Sequence, residues 1–165
     1  MKLLMKLISI IFLSSSLAFA NNFVTVEALS SKSLQDTKAN GVSVSINSRF
    51  LEQGSFSHTF GMGFDFVDSK AGTGNAWFAK YQLEYELIDN LRVYPLIGYT
   101  AQQLQKVPNV GTNMAHGFTY GGGVSYELYK GLGIKAEYKQ TKMSDVGIYG
   151  KYDYKVSTVG LTYTY

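Results

Sequence analysis

Apolar and polar residues alternate along most of this chain. The clearest stretch is 76–87, where Trp77, Ala79, Tyr81, Leu83, Tyr85 and Leu87 fall on one face and Lys80, Gln82, Glu84 and Glu86 on the other. A period of two is the signature of a strand, whose successive side chains point to opposite faces. Stretch 56–67 sets Phe56, His58, Phe60, Met62, Phe64 and Phe66 against Ser57, Thr59, Gly61, Gly63 and Asp65. The same pattern runs through 115–128 and 132–142. Eight strands are predicted: 23–29, 41–48, 56–67, 76–87, 91–102, 115–128, 132–142 and 152–165. The clearest of them are about 10–12 residues long, enough for a tilted strand to cross a bilayer.

The connections alternate as well. Tight turns are expected at 88–90 and 129–131 and a looser one at 49–55, with longer polar loops at 30–40, 68–75, 103–114 and 143–150. Short turns on one rim and longer loops on the other describe an all-β, eight-stranded antiparallel up-and-down transmembrane β-barrel. Three places strain the pattern. The first strand is short, and Pro95 falls where a ladder donor is needed. In the last strand, the parity that turns Tyr165 outward also turns Asp153 and Lys155 outward. Either that end projects above the bilayer or a bulge near Ser157 resets the face.

Alternation does not say which face looks inward. Side-chain size does. The polar face is rich in small residues (Gly61, Gly63, Gly98, Gly121, Gly123, Ser57 and Ser125 among them), and the apolar face is bulky and aromatic. An eight-stranded barrel has an interior just wide enough for side chains to fill it. Small and charged residues therefore belong inside, and aromatics outside. Tyr85, Tyr126, Tyr163 and Tyr165 would form one girdle near the short turns, and Phe66, Trp77 and Tyr99 another towards the loops. A soluble ligand-binding barrel would invert this arrangement.

Residues 1–20 change the picture from a sheet protein to an exported one. Lys2 and Lys6 precede an apolar run that ends in Ala18-Phe19-Ala20, the pattern of a secretory signal peptide, leaving 21–165 as a barrel domain. Without Lys2 and Lys6 the 15 basic residues become 13 against 12 acidic ones, a net charge of +1. That is no footprint for nucleic acid. The chain has no cysteine, which excludes a disulfide framework, thiol chemistry and lipoprotein acylation.

The last eight residues, TVGLTYTY, carry polar Thr158, then Gly160, then aromatic Tyr163 and Tyr165. This spacing resembles the C-terminal insertion signal of bacterial outer-membrane barrels. With the hairpin GGGVSYELYKGLGIKAEY over 121–138, it makes the chain similar to the small OmpA/OmpX-like, porin-family outer-membrane barrels. The resemblance implies a Gram-negative outer membrane, contact with its lipid and lipopolysaccharide, and delivery by the barrel-assembly machinery. It implies fold and location far better than activity.

The candidate chemistry lies on the inward face. Glu27, Asp65, Lys80, Glu84, Glu86, Arg92, Glu127, Lys135, Glu137 and Lys139 form a lumen charge network of mixed sign. It reads either as an ion path gated by switchable salt bridges or as a plug of paired charges, and the narrow lumen favours the plug. A lipid-modifying enzyme of this shape would need a histidine and a nucleophile on one face. His58 and His116 are followed at that spacing by Phe60 and Phe118, and Ser57 points away from His58. No catalytic, cofactor or metal set is expected. The Gly121-Gly122-Gly123 run continues a strand and so is no phosphate loop. An extracellular partner would meet the long loops, with Lys32, Lys38, Lys70, Lys106 and Tyr149.

Overall fold

A computed structural model describes residues 21–165 apart from 69, 106, 108–113, 145, 147 and 148. The expected signal peptide and parts of three loops, Lys106 included, lie outside the described residues. The strands are β1 (Asn22–Lys32), β2 (Lys38–Gln53), β3 (Phe56–Val67), β4 (Ala76–Ile88), β5 (Leu91–Gln103), β6 (Met114–Tyr129), β7 (Leu132–Met143) and β8 (Tyr152–Thr164), with a short 3-10 turn at Leu34–Asp36. Each pairs antiparallel with its neighbours in sequence, and β8 pairs with β1 to close the barrel. The all-β, eight-stranded fold is as the alternation predicts.

The bounds of two strands differ. β1 and β2 reach much further towards the loops than 23–29 and 41–48, and stay paired up to Lys32 and Lys38. Their outward positions there are polar, so hydropathy alone takes them for loop although the ladder continues. At the other end the loose turn expected at 49–55 is strand up to Gln53, and only Gly54 and Ser55 turn the chain.

The three short turns share one construction. Each incoming strand carries a bulge just before its turn, at Phe50, Leu87 and Leu128, and each bulged residue is a large apolar side chain exposed on the outside. Bulges sharpen the bend at a barrel rim. The β6–β7 turn is the two residues Lys130-Gly131, at φ 43° and 83°. Positive φ at both positions suits the right-handed twist of a hairpin.

The strained positions resolve simply. Pro95 pairs with Gly122 on β6, and on the β4 side the ladder skips Tyr94 and Pro95. The missing donor is absorbed by a local gap. β8 pairs without interruption on both sides, so no bulge resets it. Asp153 and Lys155 do face outward, with side chains 43% and 40% exposed.

The outward face exposes aliphatic residues such as Met62, Ile97 and Val159 along its middle, interleaved with aromatics such as Phe60 and Tyr120, and further aromatics towards its ends. Phe56 and Tyr85 meet in a tilted pair near the short turns, their ring centroids 4.9 Å apart. One expectation about the interior is corrected. The lumen is not lined only by small and charged residues, because Phe23, Phe78, Tyr94 and Tyr154 are buried in it. The glycines opposite leave the room: a Cβ on Gly63 would lie 2.6 Å from the Phe78 ring, and one on Gly123 2.3 Å from the Tyr94 hydroxyl.

Candidate functional site: the lumen charge network

Inward parity on every strand brings most of the predicted charges into one column along the barrel axis. At its centre Glu137 of β7 accepts from Lys80 of β4 at 2.6 Å, with Lys135 at 3.0 Å. Gln82 and Tyr94 also donate to Glu137, each at 3.1 Å. Towards the loops, Asp65 of β3 meets Lys139 at 3.0 Å and accepts from Ser43 and Tyr154. The Lys139 ammonium lies 3.4 Å from the centroid of the Phe78 ring, a cation–π contact. Towards the short turns, Glu84 takes Arg49 at 2.8 Å, and Ser57 hydrogen-bonds the same carboxylate oxygen. Glu27 accepts from Thr158 across the closing seam.

Among the described residues eight charged ones are buried: Glu27, Asp65, Glu84 and Glu137 against Arg49, Lys80, Lys135 and Lys139. The two signs balance. A buried charge without a partner is strongly disfavoured, so such a column is stable only if it is nearly neutral and hydrogen-bonded throughout. A cavity of about 30 Å³ opens by the short turns between Arg49, Arg92, Glu84 and Lys135. That is room for about two water molecules.

The other end is sealed differently. Leu29, Leu34, Leu104, Met143, Val146 and Val156 pack into an apolar cluster against Tyr154. Above it, Gln102 ties the loops together by accepting from Ser33 and Tyr152, each at 3.0 Å, and donating to the Gly74 carbonyl. The sequence showed no sign of this lid. Its residues are scattered over four strands and the loops between them.

Three predicted members stand apart from the column. Glu86 and Arg92 pair at 3.5 Å at the rim, both partly exposed. Glu86 also accepts from the Asn90 amide, and Glu127 accepts from the Gly131 amide at 3.0 Å. Each carboxylate precedes a bulge and satisfies the backbone of the turn that follows it. Glu127→Ala is therefore expected to cost about 1 kcal/mol, read as a lower urea midpoint of the folded band, with no change in bilayer conductance. Conversely, Arg49 belongs to the column but falls in the segment taken as a loose turn. A strand reading continued through 49 would have found it.

The insertion-signal residues divide between the two faces. Thr158 and Gly160 point inward, Tyr163 and Tyr165 outward. A Cβ on Gly160 would lie 2.1 Å from the Val26 carbonyl oxygen and 2.4 Å from the Glu27 Cα, so the glycine lets β8 approach β1. The histidines are held by tyrosines on the outside. His58 Nδ1 contacts the Tyr81 hydroxyl and His116 Nδ1 that of Tyr99. Ser57 is buried on the opposite face.

Comparison with known proteins now adds the context. A search of curated proteins finds no match. Among solved structures the chain is similar to Neisserial surface protein A, at 13% identity and a TM-score of 0.57, covering 87% of this chain and 97% of that one. It is similar to the N-terminal barrel domain of Pseudomonas aeruginosa OprF, at 15% identity and 0.54, with coverage of 87% and 97%. It is also similar to the attachment invasion locus protein Ail of Yersinia pestis, solved in complex with the heparin analogue sucrose octasulfate, at 13% identity and 0.53, with coverage of 88% and 97%. Identities this low establish the shared barrel fold. Residues 12–165 match the family model of the outer membrane protein beta-barrel domain, and the chain belongs to that family, as a closed eight-stranded barrel of the bacterial outer membrane.

Proposed function

We propose that this protein is a non-conducting, non-enzymatic barrel with a structural or surface-interaction role in envelope integrity or adhesion. One observation carries the reading: among the described residues the buried charges are balanced four to four, and all but the ion-paired Lys135 ammonium are hydrogen-bonded, below an apolar lid. Such a column resists hydrated ions, because displacing any one member strands its partner in a low-dielectric interior. The lumen residues then serve as a core, and the loops face the exterior. The histidine environments support the non-enzymatic part, since each imidazole is engaged by a tyrosine on the lipid-facing side, and the serine beside His116, Ser144, accepts from its backbone amide. An extracellular ligand at the loops draws support from the complex of the similarly folded Ail with a heparin analogue.

As for processing, we read 1–20 as a signal peptide and 158–165 as the signal that the barrel-assembly machinery recognises. Two readouts test the functional proposal. Heat-modifiable protein in planar bilayers should show no channel steps, and cells lacking the chain should become more sensitive to detergent. Discrete steps would replace the plug with a small pore, the second reading, in which the Lys80–Glu137 pair would be the constriction. Unchanged detergent sensitivity and adhesion would dismiss the envelope role.

A further inference from the structure

Three lysines stand side by side on the outward face at the loop rim. Lys32, the last residue of β1, is directly opposite Lys38 on β2 and Lys155 on β8. Like charges opposed across antiparallel strands repel and weaken the pairing. Here two such pairs share one lysine. The protein offsets little of this. Lys32 has only the exposed Asp36, at 3.0 Å. Asp153 stands 3.9 Å from Lys155 and already accepts from Gln140 at 2.8 Å. Among the described residues no carboxylate lies within ion-pair distance of Lys38.

What lies beneath the lysines gives the patch a direction. Two residues further from the loops on the same face, Ser30 and Ser157 are opposite one another, with Tyr138 beside Ser157. Two residues further again come Ala28, Val42 and Val159. The three lysines, the two serines and Tyr138 border a groove of about 340 Å³. Ammonium, hydroxyl and aliphatic groups thus succeed one another towards the membrane middle. That is the order of phosphate, sugar or ester, and acyl chain in an amphiphile. The arrangement is one-sided. At the loop ends of β3, β4 and β5, the outward positions hold Phe66, Trp77 and Tyr99 instead.

We propose that this face is a binding site for the phosphorylated headgroup of an outer-leaflet lipid of the lipopolysaccharide type. The three ammonium groups take its phosphate oxygens, and the hydroxyl row takes its sugar or ester groups. The bound anion removes the repulsion that the strand register creates. The proposal needs the outer-membrane placement alone, and holds whether or not the lumen conducts.

The test uses the full mature barrel in phosphatidylcholine vesicles, with and without lipopolysaccharide, and reads the midpoint of the heat-induced gel shift. The variants are the triple Lys32→Gln, Lys38→Gln, Lys155→Gln and, as a control on the opposite rim, Lys130→Gln. Lipopolysaccharide should raise the midpoint of the wild type and the control. Each lysine near an anionic lipid contributes about fivefold in affinity, so the triple variant should need about a hundredfold more lipid for the same rise. Without lipopolysaccharide the triple variant should match or exceed the wild type, since its repulsion is gone. Equal protection of the triple variant, no protection of the wild type, or equal protection by inorganic phosphate in plain vesicles would each overturn the proposal.

Discussion

Glu137→Ala should lower the stability of the barrel by about 3–5 kcal/mol, the usual cost of stranding a buried charge. The carboxylate is the common acceptor for Lys80, Gln82 and Tyr94, and the ion-pair partner of Lys135. Its removal leaves two buried ammonium groups facing each other and breaks the balance of the column. The measurement is a urea titration of the heat-modifiable band in vesicles. Adding Lys80→Met restores neutrality, so the double variant should recover part of the loss and depart clearly from additivity. If Glu137→Ala shifted the midpoint by less than a Glu127→Ala variant does, the column would be solvated and the plug reading would fall. The same variants in planar bilayers show whether loosening the centre admits ions.

Ile97→Arg should cost about 2–4 kcal/mol, the penalty for arginine on the lipid face near the bilayer midplane. Ile97 is the seventh of the 13 residues of β5, faces outward, and is 50% exposed. In a water-soluble barrel an arginine there would be nearly neutral, which makes the substitution a direct test of which solvent this face meets. The companion Lys155→Arg, at the loop rim, should leave the urea midpoint almost unchanged. A neutral Ile97→Arg would mean that the outward face is not in hydrocarbon at that depth.

The alternation made the fold legible because each strand is half polar and half apolar, and the glycines on the polar face told inside from outside. Lys80, Lys135, Glu137 and Lys139 could be placed by parity alone, since they lie in uninterrupted strands. Arg49 could not, because the bulge that follows it breaks the alternation at that point. Glu86 and Glu127 share inward parity with Glu84, yet lie close enough to the turns to spend their oxygens on backbone amides. Parity gives direction without depth. The buried Tyr94 and Tyr154 were hidden for a related reason. Their space is supplied by glycines and small residues on other strands, a long-range complement that no window along the chain contains. The lid residues share no local pattern, so only the folded chain assembles them.

The uninterrupted seam between β1 and β8 has a consequence for how the chain finds its form. Seven of the eight strand pairings join neighbours in sequence, and three of them are hairpins whose turns are primed by a bulge. Such local pairs close quickly, because little chain entropy is lost in bringing their ends together. The last pairing unites segments as distant as Glu27 and Thr158, 131 residues apart, and the largest single loop-closure cost falls on it. Assembly should therefore be a zipper with one slow tooth, in which a curled, nearly complete sheet waits for its two edges to meet. Anything that holds those edges together sets the rate.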